Sequence, residues 1–296
     1  MCELPDGFDL MQVEDAIWIL TSHTGNPAYD FAFDSSFICR RPWERKEPIT
    51  AIGRFGASPD YEDLFARLKK QNIRLANSPE QHFNGSELPQ WYPLLEGLTP
   101  KSVWFDEPPS AKVVEETVGW PVFVKGARQT SRHELRKCVA HNPAEYEKLI
   151  DEYRQDSILK WQQCVVREFA NLRSVNCEAT YKVPPSFEFR TFWYNKKLVG
   201  AGPYWSEFAD YTWTSEERDS CIELAASAAA KIDCPFLVID MALKDDGQWI
   251  VIECNDGQES GYAGVSPFAI WNNIVQQTKA SAFNKRKPQP ADKKYR

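Results

Sequence analysis

Two acids and an amide near the C-terminal end, Asp240, Glu253 and Asn255, are side chains of the types that hold a divalent cation. They sit in Val238-Ile-Asp240 and Val251-Ile-Glu253-Cys-Asn255, on either side of Lys244-Asp-Asp-Gly247, a hairpin signal. With Asp246-Gly247 as a two-residue turn, Asp245 pairs with Gln248, Leu243 with Ile250 and Met241 with Ile252, which puts Asp240 opposite Glu253. Leu237, Ile239, Met241, Leu243, Ile250, Ile252 and Cys254 then form a core face, while Asp240, Glu253 and Asn255 share the other with Val238, Ala242 and Val251. Directly opposed like charges destabilise a ladder, so something must compensate. Mg²⁺ would do so, with substrate phosphates completing its shell. A solvated strand face with nearby Lys or Arg would do so equally well.

Several other residues carry two readings. Lys125 ends the apolar run Pro121-Val-Phe-Val and opens a polar loop, where its ammonium could reach a phosphate or simply water. The loop continues through Arg128, Gln129, Thr130, Ser131 and Arg132, donors that suit phosphate oxygens or a hairpin tip. Arg190 falls mid-strand between Phe189 and Phe192 and needs an anion, either Glu188 or a bound phosphate. Glu168-Phe-Ala170 closes a strand and could present backbone groups to a base edge. His133-Glu134 lacks the second His of a zinc-protease helix, and no glycine-rich phosphate loop or Gly-x-Ser-x-Gly turn occurs. The four histidines (23, 82, 133 and 141) have no metal-ligand spacing and read as structural or surface residues.

The elements that must position these residues follow from periodicity. Ala16 to Leu20 and Ile49 to Phe55 are candidate strands, and Ser58-Pro59 starts a helix with Tyr61, Leu64, Phe65 and Leu68 on one face. Ile73 to Ala76 forms a short strand, and Ser78 with Gln81 makes a capping box. Prolines 100, 108 and 109 mark a boundary. Beyond it come strand Pro121–Lys125, partner strand Lys137–His141, a helix begun by Asn142-Pro143 and Glu145, and strand Gln163–Phe169. A hairpin turning at Asn195-Lys196 follows, then a helix capped by Thr214 and Glu217 that buries Cys221, Ile222, Ala225, Ala228, Ala229 and Ile232.

At 296 residues, with 43% hydrophobic and 26% charged side chains, the chain has the composition of an ordered globular protein of one large or two smaller units. A net charge of −7 argues against indiscriminate gripping of nucleic acid. The eight cysteines contain no Cys-x-x-Cys and read as reduced core residues. There is no apolar run of membrane-spanning length and no secretory leader pattern at the start, so a cytoplasmic location without membrane contact is expected. The segment from Asn284 to Arg296, rich in Lys and Arg, reads as a solvated, disordered basic tail.

Taken in order, Pro-Val-Phe-Val-Lys125, Val-Val-Arg-Glu168-Phe, Glu-Phe-Arg190-Thr-Phe, Val-Ile-Asp240 and Val-Ile-Glu253-Cys-Asn255 resemble the ATP-grasp superfamily over about residues 74 to 275. Within it, the phage and bacterial clade named for an arginine and two lysines is the most similar. The resemblance implies an α/β (α+β) fold, with an ATP-grasp domain over residues 109–283 preceded by a small Rossmann-like α/β domain over 1–108. Its nucleotide lobe would span 109–172 and its metal-bearing catalytic lobe 173–283. It implies that Lys125 binds the phosphates of ATP, that Glu168, Phe169 and Ala170 form the adenine hinge, and that Arg190 holds the terminal phosphate. Asp240, Glu253 and Asn255 would ligate Mg²⁺. The loop after Lys125 departs from the family in having no glycine beyond Gly126, leaving Arg128 or Arg132 to substitute, and Asn171-Leu-Arg lacks the usual ribose-binding carboxylate. The activity implied is ATP-dependent carboxylate–amine ligation through an acyl phosphate. The segment Ser186-Phe-Glu-Phe-Arg190-Thr-Phe also resembles the ATP-grasp chaperones that assemble a translation initiation factor, which would make ATP binding serve a protein partner.

Overall fold

A computed structural model describes residue 4 and residues 7–22, 31–41, 47–58, 60–128, 138–177 and 184–286. Three sheets organise them. The first takes β1 (Phe8–Val13), β2 (Ile17–Ser22), β3 (Cys39–Arg40), β4 (Ile49–Arg54) and β5 (Ile73–Leu75) in the order β3-β1-β2-β4-β5. β2, β4 and β5 run parallel, with helix α2 (Tyr61–Lys70) crossing between the last two. β1 is antiparallel to β2 through a tight turn at Glu14 and Asp15, both at positive φ. The short α1 (Phe33–Ser36) precedes β3. The cap of α2 is Asp60, whose side chain accepts from the Asp63 backbone, so the helix starts two residues later than Ser58-Pro59 suggests, and Pro59 lies outside the described residues.

The second sheet, β6-β9-β7-β8, is antiparallel throughout and contains β6 (Ser102–Phe105), β7 (Val122–Gly126), β8 (Val139–Ala140) and β9 (Cys164–Glu168). β6 stands on the N-terminal side of the expected division at 108/109, yet it pairs with β9; the prolines that follow interrupt the chain after this strand. Between β6 and β7 runs α5 (Ala111–Thr117), and between β8 and β9 runs α6 (Pro143–Gln155), capped by Asn142 as its sequence indicates. One face of this sheet buries Val122, Val124, Cys164 and Val166 against Tyr146, Leu149 and Tyr153 of α6. The other face carries Phe123, Lys125, Val165 and Arg167, in register across β7 and β9.

The third sheet, β11-β10-β12-β13, is built from β10 (Glu188–Tyr194), β11 (Lys197–Pro203), β12 (Phe236–Leu243) and β13 (Trp249–Asp256). One face packs on α7 (Ser215–Lys231), which has the Thr214–Glu217 capping box, and on α4 (Leu88–Leu95). The other meets α8 (Pro267–Arg286) and the first sheet: Phe192, Phe236 and Val238 share one core with Met11, Ile19, Ile52, Ile270 and Trp271. Because α8 extends to Arg286, the expected tail starts helical; residues 287–296 lie outside the described residues.

The helix α3 (Pro79–Ser86), with the expected Ser78–Gln81 box, leads from the first sheet to the third. Asn77 clamps the backbone of Phe236 from both sides, donating to its carbonyl and accepting from its amide, each at 2.9 Å. It also donates to Asp256, which receives His82 Nδ1 at 2.9 Å. A buried carboxylate so surrounded keeps its place, and the ends of β12 and β13 are fixed with it. Five of the described cysteines are buried and unbridged as expected; Cys39 and Cys177 are half-buried.

Candidate functional site

β10, β12 and β13 align three charged side chains in one row. Arg190 pairs in register with Asp240, and Asp240 with Glu253. The guanidinium of Arg190 grips Asp240 bidentately, Nε to Oδ1 and Nη2 to Oδ2, both at 2.8 Å, and donates to Gly261 O at 2.9 Å. Lys125, only 3% exposed, crosses from the second sheet to form an ion pair with Glu253. The order is therefore cation, anion, anion, cation. The compensation that two opposed acids require is supplied here by protein cations, one on each side. For Arg190, this places its anion on the neighbouring strand. Glu188, two residues away, is held instead by Ser186 Oγ at 3.2 Å and Trp205 Nε1 at 2.9 Å.

The register differs from a two-residue turn. Lys244 N donates to Gln248 O, and Gly247 sits at φ 85°, so the loop has three residues, Asp245, Asp246 and Gly247. Leu243 therefore meets Trp249, and Met241 meets Val251. A bulge at Ile252 then restores the pairing of Asp240 with Glu253. As a result Trp249 and Val251 join the core, whereas Ile252 lines the cleft. The acid pair is where the sequence indicates, by two compensating shifts.

The cleft between the second and third sheets encloses about 290 Å³. One wall has Phe123, Lys125 and Arg167, followed by Glu168, Phe169 and Ala170; the facing wall has Asp240, Glu253, Glu188 and Tyr204. Six of the expected site residues thus converge: Lys125, Glu168, Phe169, Ala170, Asp240 and Glu253. Three do not form its wall. Arg190 stands behind Asp240, with Tyr204 stacked 4.8 Å from its guanidinium. Asn255 lies beyond Glu253, opposite Val238. Arg128 is buried at the junction with the first sheet, donating to Ser58 O at 3.1 Å and paired with Glu259. Residues 129–137, with Arg132, lie outside the described residues.

The cleft shifts the ionisation of its groups. Burial pushes the Asp240 carboxyl up, against the opposing pull of Arg190. Burial, reinforced by the charge of Asp240, pushes Glu188 up to about 8. Arg167 is pushed down to about 10 by burial, against the opposing pull of the Glu253 charge. Neither Glu188 nor Arg167 is singled out for function by the sequence, since only burial distinguishes them from ordinary strand charges. No group of three or more His, Cys, Asp or Glu among the described residues could enclose a metal alone. Two facing carboxylates at an open cleft nevertheless fit Mg²⁺, which takes one or two carboxylates with substrate phosphates.

Comparison with known proteins identifies the family and the fold. A family model for the ATP-grasp domain, family 3 of the clade named for an arginine and two lysines, matches residues 105–274. The chain belongs to this ATP-grasp family. No curated protein matches it by sequence. Among solved structures, it is similar in fold to a D-alanine–D-alanine ligase from Bacillus anthracis complexed with ATP, at TM-score 0.55 and 12% identity, over 81% of each chain. An ATP-grasp RimK domain protein from Sphaerobacter thermophilus DSM 20745 gives 0.53 at 12% identity, over 78% of this chain and 80% of that one. D-alanyl-alanine synthetase A from Vibrio cholerae O1 biovar eltor str. N16961 gives 0.52 at 18%, over 82% and 80%. The protein is an ATP-grasp protein of the ATP-binding class, with an α/β fold of several sheets. No helix among the described residues is long and apolar enough to cross a membrane.

Proposed function

We propose that the cleft binds Mg-ATP and that the protein is an ATP-dependent carboxylate–amine ligase. The observation that carries this reading is the row Arg190, Asp240, Glu253, Lys125, which gathers two cations and two carboxylates around one cleft. In it, Lys125 and Glu253 neutralise each other. With Mg-ATP bound, Lys125 would pair with the phosphates, and Glu253 and Asp240 would hold the metal. The exchange replaces one set of charge pairs by another, so neither group is left buried and unpaired. Glu168, Phe169 and Ala170 border the end of the cleft where the base would lie.

In the reaction, a substrate carboxylate oxygen bonds to the γ-phosphorus and the bond to ADP breaks, giving an acyl phosphate and ADP. An amine then bonds to the acyl carbon, phosphate leaves with the electron pair, and the amine loses a proton. The chain contributes positioning and charge neutralisation. Arg190 acts through Asp240, fixing the orientation of its carboxylate with two hydrogen bonds. Bound Mg²⁺ would neutralise the phosphates as they transfer.

The test is ADP release in the presence of pools of amino acids and small carboxylates. The reading expects release that requires both a carboxylate and an amine and that falls at least a hundredfold in Lys125→Ala. ATP binding with a stable protein complex and no ADP release would overturn the ligase assignment in favour of an assembly role.

A further inference from the structure

Among the described residues of the cleft wall, Arg167 has a buried side-chain nitrogen without a hydrogen-bond partner. It lies on β9 one residue before Glu168 and is 5% exposed. Two of its nitrogens are engaged: Nε donates to Ser102 Oγ at 2.9 Å, and Nη1 to Ile252 O at 2.6 Å. The second of these depends on the bulge, because Ile252 is the extra residue of β13 and its carbonyl is turned out toward the second sheet. Nη2 is shielded from solvent and has no acceptor. Orphaned donors on a buried guanidinium are costly and uncommon, and the residue forms part of the cleft wall.

Charge points the same way. In register, Arg167 faces Phe123, and Lys125 faces Val165, so the two cations stand diagonally on one face of the second sheet. Across the cleft, Glu253 is engaged by Lys125 and Asp240 by Arg190. Glu188 is bound to Ser186 and Trp205. Each of these carboxylates has its own hydrogen-bonded partner; Arg167 feels the Glu253 charge but donates only to two neutral acceptors, a hydroxyl and a carbonyl. A neutral acceptor on a ligand would fill the hydrogen bond at Nη2 but not balance the charge; an anionic oxygen does both.

We infer that Arg167 is a nucleotide contact, its Nη2 donating to an oxygen of the phosphate nearest the nucleoside. This rests on the reading of the cleft as a nucleotide site. The position fits that phosphate: Arg167 lies between Glu168 to Ala170, where the base would lie, and the Lys125–Glu253 pair, where the outer phosphates would lie. The same guanidinium ties the two sheets together through Ile252, so the ligand would complete a bridge whose other two contacts are already made.

The test compares Mg-ATP, AMP and adenosine on wild type and Arg167→Gln, by calorimetry for Mg-ATP and ligand-observed magnetic resonance for the two weaker ligands. The inference expects at least a tenfold loss for Mg-ATP and AMP, with adenosine within twofold. An equal loss for adenosine would show that Arg167 only holds the lobes in place or meets the base, and unchanged binding would show that it meets no ligand; either overturns the inference. Wild-type protein that binds none of the three would remove the nucleotide reading itself, and the inference with it. Thermal unfolding checks that the variant folds. Arg167→Lys, which keeps the charge without the fork, serves as a second variant, with a smaller loss expected for the same two ligands.

Discussion

Glu188 accepts from both Ser186 and Trp205 on one oxygen and sits deep in the third sheet beside the Arg190–Asp240 pair. Its ordinary ionisation lies near 4.5, and burial moves it to about 8. The sign follows from linkage: between these values the unfolded chain carries the ionised form and the folded chain the neutral one, so raising the pH costs stability. Up to about 1.4 kcal/mol per pH unit is lost across that window. In Glu188→Gln, which keeps an oxygen for Ser186 and Trp205, that part of the slope should vanish. Denaturant midpoints at pH 5 and 8 measure it; an identical slope in the two proteins would contradict the assignment of a neutral, buried Glu188.

At this scale the sequence is legible where the chemistry is local. Asp240 and Glu253 lie on two strands joined by a short turn, so their juxtaposition follows from counting. The partner of Arg190 is not local: it comes from a strand fifty positions away, and β10 pairs with β12 only because α7 carries the chain back. Arg167 has the same difficulty, since its acceptors, Ser102 and Ile252, come from two other strands.

At the scale of elements, the last hairpin shows how a correct pairing can arise from an incorrect register. A three-residue loop shifts the pairing by one and a bulge shifts it back. Both devices have consequences: the loop lets Trp249 and Val251 join the core, and the bulge exposes the Ile252 carbonyl. Gly247 serves the loop, at φ 85°, with nothing within 4 Å of where a methyl group would stand. Gly247→Ala should therefore cost about 1 kcal/mol of stability from backbone conformation alone and leave nucleotide affinity unchanged. Chemical denaturation together with a nucleotide titration would check it; a loss of affinity would mean that loop strain reaches Glu253. Helix caps are legible at Ser78, Asn142 and Thr214, because a cap is a few residues' chemistry. The strand Phe8–Val13 and the helix Pro267–Arg286 go beyond what the sequence reading anticipates, although Ile270, Trp271, Ile274 and Val275 do repeat at helical spacing.

For the molecule as a whole, the first sheet shares a core with the third, through Met11, Ile19 and Ile52 against Phe192 and Phe236. Polar groups reinforce this contact: Gln258 accepts from Gly53 N at 2.8 Å, and Arg54 donates to Ser260 O at 2.8 Å. The sequence assigns the N-terminal unit no role, because contacts between distant segments leave no periodic trace. Its placement steadies the third sheet from behind, while the second sheet faces that sheet across the cleft. The cationic wall comes from one lobe and the carboxylates from the other, so the metal and the nucleotide should bind cooperatively. The most direct measurement is a calorimetric titration of ATP into wild type and Glu253→Gln, with and without Mg²⁺. The account predicts that Mg²⁺ strengthens ATP binding to wild type at least tenfold and that the variant loses this gain while still binding metal-free ATP. Equal enhancement by Mg²⁺ in both proteins, or no ATP binding by wild type, would contradict it.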